Sequence, residues 1–312
     1  MTLRFTLRQL EYFLAVGEHG SIAQASEKVN VSSPSISAAI SQLETEFGLP
    51  LFVRKHAHGL SLTQAGRQFM EQAQTTLREA EALNRLAGDI SGTVQGPLKI
   101  GCLLTFAQVI LPSLRRQFER NYPNARVSQI EADQPSLIDQ LRRAKIDVAL
   151  SYDLDIPPDL EFLPLRSLPP YAMLPEDHPL ANKTDVDVDE LADFPMVLLD
   201  LPLSSDYFLS FFSKSNRKPR IVERTRDMAV MRSLVANGYG YAIANIRPYS
   251  DLSPDGKKLV FVPLRGAQRE MQLGLIIPEG ARNVLTISAF INHTANAIEN
   301  WNHPSSADAP KG

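Results

Sequence analysis

Seven residues, Phe69, Ala73, Thr76, Ala80, Leu83, Ala87 and Ile90, recur at alternating intervals of four and three. A repeat averaging 3.5 residues is the seam of a helix that packs lengthwise on another helix. The stretch that carries it, about 64–91, is polar and free of proline. This stretch stands between two regions of different pattern, several short helical periods before it and alternating apolar runs and helical segments after it. The alanines on the seam permit close approach but bury little apolar area, so pairing needs support from flanking segments. The expected partner is a second copy of the chain, and the alternative is packing against the chain's own domain. Ser91-Gly92-Thr93-Val94-Gln95-Gly96-Pro97 breaks the helix and reads as a hinge.

Upstream, Leu7, Leu10, Phe13 and Leu14 predict a first amphipathic helix that stops near Gly17–Gly20. Ser21 reads as an N-cap with Gln24 as its capping-box partner, opening a helix Ser21–Val29. After Asn30-Val31-Ser32, Ser33 reads as the next N-cap, with Pro34 in the first turn, where a missing N–H costs nothing. Ile36, Ile40, Leu43 and Phe47 stripe this third helix, and Gly48 ends it. Two short helices joined by so short a turn make a helix-turn-helix. The third helix then either enters a DNA major groove by its N-terminus or belongs to a small bundle that binds nothing.

Charge does not decide between these readings. The chain carries 32 Lys and Arg against 35 Asp and Glu, a net charge of −3, which excludes a wholly basic nucleic-acid coat. Residues 1–62 are neutral by count. Placement is more informative. The first turn of the third helix, Ser32-Ser33-Pro34-Ser35-Ile36-Ser37, has four hydroxyls and no acid, and such groups with free helix N–H bind phosphate and base edges. The basic residues Arg54, Lys55 and His56 come next, between apolar Leu51-Phe52-Val53 and Leu60-Ser61-Leu62. Two strands with a basic turn form a wing suited to the DNA backbone or minor groove.

Downstream of 96 the chain alternates short apolar runs with helical periods. Leu98–Cys102, Arg126–Ala132 and Val148–Tyr152 read as strands, with helices Phe106–Tyr122 and Ser136–Lys145 between them. This βαβαβ run predicts a parallel sheet. Further elements are expected at Ala172–Leu174, Met196–Leu199, Asp206–Phe212, Met228–Ala236, Tyr241–Ala244, Met271–Ile277 and Thr286–Trp301.

The motifs Leu10-Glu11-Tyr12-Phe13, Ser21-Ile22-Ala23-Gln24-Ala25-Ser26, Ser33-Pro34-Ser35-Ile36-Ser37, Ile40 with Leu43-Glu44, Leu51-Phe52-Val53-Arg54 and Leu62-Thr63-Gln64-Ala65-Gly66 stand in one order. In that order the chain resembles the LysR-type transcriptional regulators over about residues 5–300. The resemblance implies an all-α winged helix-turn-helix domain (1–63), a linker dimerisation helix (64–92) and a two-lobed α/β periplasmic-binding-protein-like (type 2) effector domain (96–302). Lobe I would comprise 97–166 and 267–302, and lobe II 167–266, with crossings near Leu165–Ser167 and Leu264–Ala267. The tail 303–312 is expected to be disordered. The implied function is sequence-specific DNA binding controlled by a small effector held between the lobes.

The DNA-binding residues expected on this basis are Ser32, Ser33, Pro34, Ser35, Ser37, Arg54, Lys55 and His56. Two positions depart from the family: it often has Gln where Ser33 stands and Arg where Ala38 stands. Their loss removes bidentate base readers, so recognition leans on hydroxyls, the wing and DNA shape. Ligands in open α/β sheets bind beyond strand carboxyl ends and at helix N-termini. The effector residues expected there are Thr105, Phe106, Gln134, Ser136, Ser204, Ser205, Met228 and Asn245, around a polar or anionic molecule. Implied partners are double-stranded promoter DNA, a second copy in a dimer and then a tetramer, and RNA polymerase.

Other features lead elsewhere or nowhere. Cys102 is the single cysteine, so it reads as a small buried residue without an intrachain resolving partner. His56-x-His58 lacks further ligands for a metal. The acidic runs at 153–161 and 185–190 lack the glycine spacing of a calcium loop. Gly238-Tyr239-Gly240 is too short for a dinucleotide fingerprint. No nucleophile–base motif of an enzyme is found, and no cofactor, metal or membrane partner is expected. Arg4, Arg8 and Glu11 interrupt the N-terminal apolar residues, so no signal peptide is expected and the cytoplasm is the expected location.

Overall fold

The computed structural model describes residues 4–55, 59–214, 217–266 and 269–301. They form two compact units, Met1–Ala87 and Gly88–Gly312.

In the first unit, α1 (Leu7–His19) opens on Thr6, whose hydroxyl caps the Gln9 N–H while the Gln9 side chain returns to the Thr6 N–H. This reciprocal box was expected at Ser21 and Gln24. There only the Ser21 half forms, and it opens α2 (Ile22–Val29). Asn30 takes the left-handed conformation that ends α2 (φ 52°), and the Ser26 hydroxyl donates to Val31 O at 2.6 Å. α3 (Ser33–Phe47) is capped by Ser32 rather than Ser33, because Ser32 is the extended residue whose oxygen reaches back to the Ser35 N–H. The wing is built from β1 (Phe52–Lys55) and β2 (Gly59–Leu62), an antiparallel pair.

Then comes α4 (Gln64–Ser91). The first seam positions, Phe69 and Ala73, pack with Leu10, Phe13, Leu43 and Leu51, and the Phe69 ring meets Phe13 edge-on at 5.3 Å. The later positions Leu83 and Ile90 are 68% and 79% exposed. The seam is therefore used twice: its start covers the head's own core and its end is bare.

The second unit holds two sheets. β3 (Gly96–Leu103), β4 (Ala125–Ala132) and β5 (Val148–Tyr152) run parallel. Their connections are a short helix α5 (Leu104–Ala107), then α6 (Leu111–Asn121), and α7 (Gln134–Arg142). The single helix expected over Phe106–Tyr122 is thus broken, since Pro112 is tolerated only in a first turn. β3 starts at Gly96, so Gly96 and Pro97 belong to the sheet and not to a hinge. Pro97 pairs along β4 only, where one side of β3 is unpaired and a missing N–H is harmless.

β6 (Leu160–Leu168) was not foreseen. It pairs antiparallel with the late strand β12 (Met271–Pro278), which completes the order β4-β3-β5-β12-β6, so the sheet is mixed and not wholly parallel. Pro164 disguises β6 in the sequence. The register shifts there between Leu273 and Gly274, and a Cβ on Gly274 would lie 2.3 Å from the Phe162 ring. The chain leaves this lobe after Leu168, later than the crossing expected near Leu165–Ser167.

Lobe II contains β7 (Tyr171–Pro175), α8 (Val188–Leu191), β8 (Pro195–Leu199), α9 (Ser204–Ser210), β9 (Arg220–Thr225), α10 (Met228–Ala236), β10 (Ala242–Ala244) and β11 (Leu259–Pro263). β10-β7-β11 is one ladder and β8-β9 another. They are joined where Val197 N–H donates to Tyr241 O (2.8 Å) and Tyr241 N–H to Pro195 O (2.9 Å). The chain returns as β12 (Met271–Pro278), and α11 (Leu285–Glu299) covers lobe I. A continuous apolar core runs through both lobes.

Candidate functional site

Two regions hold the side chains expected to bind DNA and effector. In the first unit it is the exposed face of α3. Ser32, Pro34, Ser35 and Ser37 are exposed and Ser33 is half-buried. The Ser32 and Ser35 hydroxyls hold one another at 2.8 Å, which spends part of their capacity on the cap. Among the described residues, the hydroxyls of Ser33, Ser37 and Ser41 have no partner in the chain. These three stand four residues apart, in one row along the helix. Ser41 was missed by sequence reading, although its spacing from Ser37 signals it. The first turn of α3 holds no acid, so its N–H groups face outward without a competing carboxylate.

Placement of this helix depends on Glu44. Its Oε1 accepts from Leu51 N–H at 2.7 Å and Phe52 N–H at 3.1 Å, tying the end of α3 to the first wing strand. The other wing strand is tied by Leu60 N–H donating to Gly20 O at 2.8 Å. Gly59 lies there at φ 80°, and a Cβ on it would come 2.6 Å from Gly20 O, so glycine is required on both counts. Arg54 and Lys55 end β1, paired with Leu60 and Gly59. His56, with the side chains of Arg54 and Lys55, lies outside the described residues.

In the second unit, all eight expected residues sit at or just beyond carboxyl ends of strands or at helix starts. Thr105 and Phe106 come directly after β3 and are buried. The Phe106 ring lies 4.6 Å from that of Tyr152, at the end of β5. The Thr105 hydroxyl neighbours the Tyr152 hydroxyl, but its Oγ1 has no well-formed hydrogen bond. Across from lobe I, Asn245 comes directly after β10. Its Nδ2 donates to Leu168 O at 2.6 Å and lies 3.4 Å from the Tyr207 hydroxyl, while its buried Oδ1 has no partner. Burial raises the Tyr152 phenol far above its ordinary pKa and pushes Tyr207 up to about 12. Both are neutral donors at ordinary pH.

The remaining expectations divide. Ser204 and Ser205 are buried at the start of α9, and among the described residues neither hydroxyl is bonded. Leu203, just before them, is held at φ 66°, ψ −43°, a strained setting for a residue with a side chain. Gln134 is spent internally, donating to Leu154 O and accepting from Ser151 Oγ at 3.1 Å. Ser136 donates to Asp133, which caps α7; Gln134 is the first residue of that helix and Ser136 lies in its first turn, as expected. Met228 is buried behind its cap, Asp227. Sequence reading missed Tyr152, Tyr207 and the ion pair between Asp133 and Arg226 (3.0 Å), which spans the two lobes. A pair so distant in sequence leaves no local signal.

Residues 7–67 match the family model described as the bacterial regulatory helix-turn-helix protein, lysR family, and residues 91–298 match the LysR substrate binding domain. The chain belongs to the LysR family. It is 31% identical over 238 residues to a hydrogen peroxide-inducible genes activator of Pectobacterium carotovorum, covering 76% of this chain and 78% of that one. It is 29% identical over 279 residues to the DNA-binding transcriptional dual regulator OxyR of Escherichia coli, covering 88% and 90%. Its fold is similar to the crystal structure of HinK, a LysR family transcriptional regulator from Pseudomonas aeruginosa. That comparison has a TM-score of 0.62, 32% identity, and coverage of 94% of this chain and 99% of that one. This LysR-type protein is a DNA-binding transcriptional regulator with an effector-binding domain. Among the described residues, none of its helices is long and apolar enough to cross a membrane.

Proposed function

We propose that this regulator reads a small polar effector, uncharged where it meets the protein, between Thr105 of lobe I and Asn245 of lobe II. The observation that carries this reading is the pair of buried orphan atoms, Thr105 Oγ1 and Asn245 Oδ1. A buried polar atom without a partner costs about 1–3 kcal/mol, and a ligand that bonds both recovers that cost. The nearby charges, Arg226 with Asp133 and Arg269 with Asp153, are already paired, which favours a neutral polar molecule over an anion.

The α3 row, the first-turn N–H groups and the wing are the DNA surface in this reading, with Arg54, Lys55 and His56 on the backbone. The bare end of α4 pairs with a second copy, and two dimers give a tetramer that presents several heads to one promoter and to RNA polymerase. The effector domain binds and does not catalyse, and the protein works in the cytoplasm. Relatives are named for hydrogen peroxide, but this chain's only cysteine, Cys102, is fully buried, and burial raises its thiol well above the usual range. Thiols in that state are poor peroxide reductants, so the signal is a bound molecule and not an oxidation.

Thermal melting of the full chain against a panel of small polar metabolites tests the site. A ligand at about a hundred times its Kd adds about 2.7 kcal/mol. The expected hit raises the melting temperature of the native protein, changes its affinity for DNA flanking its own gene, and does neither in Thr105→Val. Hits that stabilise both proteins equally would place the effector elsewhere.

A further inference from the structure

α6 and α11 flank a half-open cavity of about 630 Å³ on lobe I that the cleft does not use. Small-molecule sites occupy about 300–1,000 Å³. One wall is a row on α6, Ser113, Gln117 and Asn121; the other is His293 and Asn296 on α11 with Asn300, the residue that ends it. Between them the lining is apolar, with Leu114 and Ile298 buried. Trp301 and Tyr249 complete it, the Trp301 indole N–H donating to the Tyr249 hydroxyl at 3.2 Å.

The chemistry of this lining is selective. Among the described residues, no Asp, Glu, Lys or Arg lines the cavity. The carboxamides of Gln117, Asn121 and Asn296 make no hydrogen bond within the described chain. Each free carboxamide offers two donors and an acceptor, the combination a hydroxyl group matches. A carboxylate or phosphate would find no cation there, and an ammonium group no carboxylate. The apolar lining and the indole suit a ring with a C–H face. We propose that this cavity is a second small-molecule site, distinct from the cleft, for a neutral, hydroxyl-rich ring such as a sugar.

The site touches both lobes. α6, α11 and Trp301 belong to lobe I, and Tyr249 to the lobe II loop after β10. That loop is held by Arg232 of α10, which donates to Ser250 O (2.7 Å) and Leu252 O (2.6 Å). The other side is held by Arg166 of β6, which donates to Ile298 O (3.0 Å) and Trp301 O (2.5 Å). A bound sugar would therefore contact one anchored part of each lobe and favour the lobe arrangement that brings them together.

Trp301 is the only tryptophan, so its emission reports on the site directly. The full chain is titrated with glucose, galactose and ribose, and with gluconate and glucosamine as charged counterparts. The expected result is a saturable change in Trp301 emission with at least one neutral sugar, at a Kd below about 1 mM. The charged counterparts bind at least about tenfold more weakly. The response persists in Thr105→Val, which separates this site from the cleft. It weakens at least about tenfold in the Gln117→Leu/Asn296→Leu double variant, whose two positions are exposed and leave the core intact. No saturable response to any of the three sugars up to about 10 mM, an equal response to the charged counterparts, or an undiminished response in the double variant overturns the proposal.

Discussion

Arg226 Nη2 lies 3.0 Å from Asp133 Oδ2, and the two residues come from opposite lobes. Burial pushes the Asp133 carboxyl up, but hydrogen bonds from Ser136 and the Arg226 guanidinium outweigh it and hold its pKa below the ordinary value. A carboxyl with a depressed folded pKa adds stability above its unfolded pKa, about 3.9, and that contribution is lost as pH falls through the folded value. Asp133→Asn keeps a capping side chain and removes only the charge. The variant is expected to lose less stability than the native chain on going from pH 5 to pH 3. At pH 7, Arg226→Ala should cost only about 0.2–1 kcal/mol, since the guanidinium is 65% exposed. Amide exchange near Asp133 and Asp227 should nevertheless accelerate as the lobes part more often.

Glu44 holds two N–H groups of the chain entering the wing. Glu44→Ala should destabilise the head by about 1–3 kcal/mol, read as an earlier first transition in denaturant. It should also weaken DNA binding, because the wing strand that it holds is loosened. Unchanged DNA affinity with the lost stability would separate the wing from recognition.

The row Ser33, Ser37 and Ser41 is expected to contribute roughly 1 kcal/mol per hydroxyl bonded to DNA. Single alanine variants should each weaken specific binding about fivefold while oligomer size, measured by light scattering, stays constant. Because these hydroxyls are neutral, the slope of binding against salt should not change, whereas replacing Arg54 should reduce it by about one unit.

Thr105→Val replaces an orphan hydroxyl by a methyl of similar shape. Without effector the variant should be as stable as the native chain or more so, because an unpaired buried oxygen disappears. A loss above about 1 kcal/mol in chemical denaturation would show that the hydroxyl is already satisfied, through Tyr152.

Cys102 is expected to resist a thiol reagent such as dithionitrobenzoate in the native protein and to react at once in denaturant, given its burial. Hydrogen peroxide should leave the affinity for DNA unchanged. A peroxide-dependent shift in the gel, abolished in Cys102→Ala, would overturn the bound-molecule reading.

Sequence patterning recovered the elements whose burial is one-sided or complete. β5 is buried at every position and α10 runs from a clear cap, and both were delimited at their observed ends. Three strands escaped: β11, Leu-Val-Phe-Val-Pro, is a plain apolar run that was passed over, and the other two hide their pattern. β6 contains Pro164 at a bulge, and β9, Arg-Ile-Val-Glu-Arg-Thr, exposes four of its six residues at a sheet edge. At the cleft, Thr105 and Asn245 could be placed because they come directly after strand ends. What Gln134 and Ser136 do there could not be read, because both are consumed by partners, Ser151 and Asp133, that only the fold brings near.

The two ties at the wing, Glu44 to Leu51 and Phe52 on one strand and Gly20 to Leu60 on the other, leave the hairpin little freedom to tilt on its own. The head then behaves as a caliper of fixed span. With α3 and the wing meeting DNA as proposed, the duplex is expected to deform to fit them. Promoters whose steps bend cheaply are favoured over stiff ones at positions that no side chain touches.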